Sequence, residues 1–331
     1  MAQSGKAFIF DPKGVDLFSF VDSVPVPAKI GKNEVLIKII AAGLNPVDYK
    51  LPQAMPMFML KGKPVGMDVC GTVIRVGSSV SAFSAGDVIC GSGPGLSEYT
   101  LVSCNEIVKV PEGVSTEVAG CLGVAGLTAY QMLKNNGAFE GSDAKKILVI
   151  GASGGVGSLV VQIAKALCAP GTEILGMCSA RSSEFVMSLG ATKIIDYTVP
   201  SFDLATALPA GTLDLVADCV SSPDDTDYVP SGMPLIKKTG KYVAINSGSK
   251  LDWIKCFISK ATGIKLFRGA YSLLLADRSV PDLLAVTDLV AKGKLHIHIH
   301  ARKAFHETMI REGYTELKGR RVHGKIVVLF A

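Results

Sequence analysis

A strand-forming run, Lys-Ile-Leu-Val-Ile at 146–150, passes directly into Gly-Ala-Ser-Gly-Gly-Val-Gly and then into Ser-Leu-Val-Val-Gln-Ile-Ala-Lys-Ala-Leu. No other stretch constrains the fold as strongly. Glycine serves where the backbone turns tightly and approaches a ligand, and a helix leaving such a turn offers N–H groups and a positive dipole end to a pyrophosphate. In the G-x-G-x-x-G spacing Ala152 takes the first position and Gly154 and Gly157 the other two, with Ser153, Gly155 and Val156 between them. The glycines alone are a weak signal; the strand before and the helix after make them a dinucleotide-binding one. A tight turn with no ligand stays as the alternative. Residues 147–164 also form the longest uncharged apolar run. Its central glycines favour strand, turn and helix over a membrane span.

Around this turn the pattern sets the fold class. From Lys146 onward strands and helices alternate: 172–178 reads as strand, 182–190 as helix, and 193–197, 213–220 and 240–246 as strands. Such alternation implies a doubly wound parallel sheet covered on both faces. The first third is different. Residues 34–43, 71–77, 87–91 and 98–111 are β-branched runs cut by glycine and proline, which reads as a compact β-barrel-like unit. Near Ser115 the pattern changes to helix, turn and helix, with Ser115 or Thr116 as first cap. A helix is expected over 281–292 with Gly293 after its end, then a histidine-rich strand, a helix around 304–311 and a final strand KIVVLF. The chain is thus expected to be α/β with two domains: 1–124, then 125–272, with 273–331 returning to the first. Its 331 residues suit two domains better than one.

The end of the second strand bears on the cofactor. An acidic residue there would hold the ribose hydroxyls of NAD. Here the strand ends in Cys178-Ser179-Ala180-Arg181-Ser182. Ser179 and Arg181 suit a 2′-phosphate instead, because guanidinium presents a rigid fork of donors to phosphate oxygens. NADPH is the expected cofactor, against the alternative of a solvent-exposed arginine in a helix-entry loop.

Several segments together resemble a family. LNPVDYK (44–50), GMDVCGTVIRVGSSVSAFSAGDVICG (66–91), GLTAYQML (126–133), VIGASGGVGSLVVQIAK (149–165), ARSSEFVMSLGATKIIDY (180–197) and HGKIVV (323–328) look like the medium-chain dehydrogenase/reductases. They are most similar to the quinone oxidoreductase branch, including chloroplast-envelope quinone oxidoreductase homologues. The resemblance spans nearly the whole chain. It implies a GroES-like catalytic domain beside a Rossmann domain, an active site in the cleft between them, and a homodimer joined through Rossmann edge strands. It places Arg181 and Tyr197 at the positions that bind the 2′-phosphate.

Zinc enzymes of that superfamily carry a cysteine in the first motif and a histidine in a G-H-E segment; this chain has Asn45 and Gly66-Met67-Asp68. A zinc site needs three or four suitable ligands, so no metal is expected. His296, His298 and His300 alternate and would share one face of a strand, as an exposed polar face or, alternatively, a metal site. Ser153 lies inside the turn with no histidine nearby in sequence, which gives nucleophilic catalysis little support. Hydride transfer without metal needs positioning and donors for the charge that moves onto a carbonyl oxygen. By resemblance Asn45, Tyr49 and Lys50 are the catalytic candidates; the bland readings are a turn former, a packing ring and a surface cation.

The expected function is therefore NADPH-dependent, zinc-free reduction of quinones or α,β-unsaturated carbonyl compounds. Reduction of another carbonyl class such as enoyl thioesters, or low-turnover cofactor binding in a structural or regulatory role, are the alternatives. A net charge of +5 without a dense Lys/Arg run argues against nucleic acid. Eight cysteines without a C-x-x-C pair read as reduced buried hydrophobes. With no signal pattern over 1–19, a cytoplasmic protein is expected. The apolar strand 241–246 is taken as the sheet edge on which the homodimer would pair.

Overall fold

The computed structural model describes residues 3–221, 226–264, 266–267 and 269–331. The strands, in chain order, are β1 (Ser4–Val15), β2 (Phe18–Pro25), β3 (Glu34–Leu44), β4 (Asp68–Val76), β5 (Val88–Ser92), β6 (Tyr99–Ser103), β7 (Ile107–Lys109), β8 (Lys146–Ile150), β9 (Glu173–Cys178), β10 (Lys193–Asp196), β11 (Leu213–Asp218), β12 (Ile236–Ala244), β13 (Tyr271–Leu273), β14 (Ile299–Ala304) and β15 (Lys325–Leu329). They fall into two compact units. One comprises 1–127, 278–293 and 297–331; the other comprises 128–277 and 294–296.

The first unit is built around β3, whose apolar run is buried almost throughout. On one side β3 pairs antiparallel with β4. On the other it is shared: Glu34–Lys38 pair with β6, and Ala41–Leu44 pair with β15. The sheet continues from β4 to β5 and β7 and from β15 to β14. The β1–β2 hairpin closes over it, and Phe8, Phe10 and Phe18 join Ile37, Ile39 and Ile326 in one core. This is the compact β-rich unit that the short strands suggest.

The second unit carries a parallel sheet in the order β10-β9-β8-β11-β12-β13. From β8 the chain first moves outward through β9 to β10, then returns to the other side of β8 with β11, β12 and β13. This doubly wound order has its switch point between β8 and β11, where ligands bind outside the carboxyl ends of the strands. The helix Gly157–Leu167 follows the glycine turn and is buried from Gly157 to Ala164. The apolar run 147–164 is therefore strand, turn and helix. No helix among the described residues is long and apolar enough to cross a membrane.

Three local expectations are corrected. The strand at 241–246 is not an edge: β12 pairs with β11 on one side and β13 on the other. Three residues of β13 are too few to give a strand pattern in sequence. Ser249 caps the helix Lys250–Thr262 and Gly263, at φ 73°, ends it; these were legible signals of an element that was not read. The helix placed around 304–311 runs over Glu307–Lys318, because residues up to Ala304 are drawn into β14 by pairing with β15. The alternating histidines do not line a strand face. β14 begins at Ile299, so only His300 lies in it, while the His296 N–H is bonded by Gln162 in the second unit. No two of the eight cysteines are bonded to each other; Cys70, Cys90, Cys121, Cys178 and Cys256 are buried, whereas Cys104, Cys168 and Cys219 are only partly so.

Candidate functional site

In the second unit, β8 ends at Ile150, and Gly151 and Ala152 both donate N–H bonds to the carbonyl of Met177 on β9. This pins the start of the turn to the sheet. Gly151 has φ 77°, and a side chain there would run into Val220. A side chain on Gly157 would meet the Gly151 carbonyl, so strand and helix approach this closely only with glycine at 157. Ala152 is buried, whereas Ser153, Gly154, Gly155 and Val156 are partly open. The turn therefore presents backbone at its crest. No side chain caps the first turn of the helix Gly157–Leu167; the Ser158 and Leu159 N–H groups bond the carbonyls of Gly154 and Val156.

The adjacent strand ends supply the second feature. Cys178 of β9 lies opposite Asp196 of β10, and the Tyr197 N–H bonds the Cys178 carbonyl. This register brings the residues after β9 to the same end of the sheet as Tyr197. Arg181 is exposed, and its guanidinium has no side-chain partner among the described residues. Tyr197 is exposed too. Ser179 is buried and its hydroxyl is 3.1 Å from that of Ser182, so it shapes the turn as well as flanking it. Asp196, which sequence reading did not weigh, is tied into this turn: Thr198 and the Ala180 N–H bond its carboxylate and hold its pKa below the usual value.

The first unit contains a buried polar knot. Asn45 ends β3's run, Asp68 opens β4 and Lys325 opens β15, and the β3 pairings bring all three to one end of the sheet. Asp68 is fully buried. Its Oδ1 accepts the Val124 N–H at 2.6 Å; its Oδ2 accepts the Asn45 amide at 2.9 Å and the Lys325 ammonium at 3.2 Å. Lys325 also donates to the Leu44 carbonyl at 3.1 Å and to Asn45 Oδ1. Asp48, in the first turn of the helix Pro46–Ala54, accepts the Asn45 backbone N–H at 2.8 Å and the Tyr314 hydroxyl at 3.2 Å through Oδ2. Its Oδ1 is buried without a partner among the described residues. Burial pushes the Asp48 carboxyl up to about 7, and the nearby Asp68 adds to the shift while the Asn45 N–H opposes it.

This knot bears on the catalytic candidates. Both amide hydrogens of Asn45 are already committed, to Asp68 and to the Gly43 carbonyl at 3.2 Å. Asn45 serves a substrate oxygen only by releasing one of them. Tyr49 packs edge-on against Tyr314 at 5.9 Å, beneath the Lys318 ammonium. Lys50 is half-buried on the same helix. Lys325 and Tyr314 were missed by sequence reading. A lysine opening an otherwise apolar final strand was the available signal for the first. Zinc does not fit here: an ammonium already occupies the oxygens of Asn45 and Asp68, and among the described residues no group of three or more His, Cys, Asp or Glu is placed to hold a metal ion.

Two family models match the chain. "Alcohol dehydrogenase GroES-like domain" covers residues 31–143, and "Zinc-binding dehydrogenase" covers 189–328. A chloroplast envelope quinone oxidoreductase homolog of Arabidopsis thaliana is 33% identical over 317 residues, covering 92% of each chain. An NADPH-dependent alkenal/one oxidoreductase of the Arabidopsis thaliana chloroplast is 30% identical, covering 98% of this chain and 79% of its own. The quinone oxidoreductase structure from Coxiella burnetii superposes with a TM-score of 0.80 at 29% identity, covering 99% of each chain.

Proposed function

The chain belongs to the medium-chain dehydrogenase/reductase superfamily, among the quinone oxidoreductase homologues, and on that premise we propose that it reduces quinones or α,β-unsaturated carbonyl compounds with NADPH and without zinc. The observation that carries the cofactor reading is the end of β9. Arg181 stands exposed there, Tyr197 is exposed at the end of the adjacent strand, and no carboxylate closes β9 to bind ribose hydroxyls. The acceptor class is supported by the names of the relatives, which are quinone and alkenal/one oxidoreductases.

Bound NADPH supplies the hydride. In this reading the turn from Ala152 to Gly157, with Ser153, Gly154, Gly155 and Val156, holds the pyrophosphate, and Ser179, Arg181 and Tyr197 hold the 2′-phosphate. The protein's remaining task is to stabilise negative charge on the acceptor's carbonyl oxygen. Tyr49 and Lys50 are the donors we assign, and Asn45 acts mainly by shaping the start of their helix. We also read the protein as a cytosolic homodimer; a fluorescent fusion of the full chain tests the first and light scattering at micromolar concentration the second.

The direct test is NADPH and NADH oxidation against benzoquinones, naphthoquinones, alkenals, enones and enoyl thioesters, with chelator and elemental analysis alongside. We expect turnover with a quinone or enone, preference for NADPH, and activity unaffected by chelator. Turnover confined to enoyl thioesters, equal efficiency with NADH, or one tightly held zinc whose removal abolishes activity would each overturn the corresponding part.

A further inference from the structure

The other wall of the cofactor crevice rests on a carboxylate that the reading above does not use. The doubly wound order places the crevice between the carboxyl ends of β8 and β11. β8 delivers the glycine turn. β11 delivers Cys219, Val220 and Ser221, and these residues abut that turn: the Cys219 N–H bonds the Ile150 carbonyl at 3.1 Å, and Val220 fills the space beside Gly151. Asp218, the last residue of β11, is fully buried. No cation accompanies it among the described residues. Its Oδ1 accepts the N–H groups of Val220 and Ser221, both at 2.9 Å. Its Oδ2 accepts the Ser221 hydroxyl and, at 2.6 Å, the Tyr242 hydroxyl from β12. The Ser221 hydroxyl in turn accepts the Tyr228 N–H at 3.0 Å. Four donors on one carboxylate hold three consecutive residues in a single conformation, and burying that carboxylate is tolerated only because all four are present.

We infer that Asp218 is a positioning residue for the cofactor: through Ser221 and Tyr242 it holds the β11 turn as the wall of the crevice against which the nicotinamide half of the dinucleotide lies. The half is assigned by topology. The adenosine half lies over β9 and β10, where Arg181 and Tyr197 stand, so the other mononucleotide half falls on the β11 and β12 side of the switch point. The inference rests on the dinucleotide reading above and adds a residue to it.

The test is binding rather than turnover. NADPH is titrated by its fluorescence, and 2′,5′-ADP, which carries only the adenosine half, is titrated by competition. For Asp218→Ala we expect NADPH to bind about tenfold more weakly, the scale of one lost charge-assisted hydrogen-bond cluster. Binding of 2′,5′-ADP should stay within about twofold. Asp218→Asn should restore NADPH binding: its carbonyl oxygen still accepts the two backbone N–H groups, and its amide donates to the Ser221 and Tyr242 hydroxyls, which turn to accept. If Asp218→Ala does not fold, Tyr242→Phe should show the same pattern at about two- to fivefold. Equal weakening of NADPH and 2′,5′-ADP, or no weakening of NADPH in a folded variant, overturns the inference. Failure of the unaltered protein to bind 2′,5′-ADP counts against the NADPH reading alone, and the comparison then runs with NADH and AMP.

Discussion

Asp68 in the first unit and Asp218 in the second are both fully buried, and the two are satisfied by opposite means. Asp68 is held by an ammonium, an amide and a backbone N–H, all of them obligate donors. Asp218 is held by two backbone N–H groups and two hydroxyls, and a hydroxyl serves as donor or acceptor. The first arrangement needs the negative charge; the second needs only an acceptor on one side. Position in the fold explains the difference. Asp68 joins three strand ends of the first unit, and its partners come from distant segments. Asp218 shapes a turn within its own next three residues.

The comparison is broken most directly at the cation. Lys325→Met leaves Asp68 buried and uncompensated, and should cost about 3–5 kcal/mol of stability in urea unfolding, with part of it regained when Asp68→Asn is added. A loss below about 1 kcal/mol would mean that the Asp68 charge is not carried by Lys325.

Asparagine at each site sharpens the contrast. Asp68→Asn sets an amide donor against Asn45 and Lys325 and should lose about 1–3 kcal/mol, whereas Asp218→Asn should unfold within about 0.5 kcal/mol of the unaltered protein. Equal losses at the two sites would erase the distinction drawn here.

Arg181→Ala tests the second unit where it is exposed. The Michaelis constant for NADPH should rise about tenfold, near 1.4 kcal/mol, with that for NADH and the saturated turnover little changed. Stability should be untouched. A parallel rise for NADH would show that Arg181 does not read the 2′-phosphate.

The smallest expected effect is a slope. Asp48 titrates at about 7 in the folded protein because burial favours its neutral form, against an ordinary value of 3.8. The folded state therefore holds a proton that the unfolded chain releases between these values. Its contribution to stability is complete below about 4 and is lost as pH rises through about 7. Asp48→Asn should flatten this loss in melting temperatures taken from pH 5 to pH 8. An identical slope in both proteins would place the titration elsewhere.

What could be read from the chain alone was whatever is encoded locally. The turn from Ala152 to Gly157 is a contiguous motif whose glycines answer to contacts a few residues away, and its strand and helix are contiguous as well. The strand runs of the first third and the βαβ alternation are periodic, so the fold class followed from them. Arg181 stood out because strand ends have fixed positions relative to that turn. Short or weakly periodic pieces did not follow: β13 is three residues long, and of the alternating histidines at 296–300 only His300 lies in a strand. Asn45 could be singled out by resemblance, but not the fact that its amide is already spent on Asp68 and Gly43. That depends on Lys325, which lies 280 residues from Asn45 and 257 from Asp68. Nothing in the spacing of such residues couples them. Only the strand register brings them together, and only burial turns three ordinary polar side chains into a knot in which each needs the others.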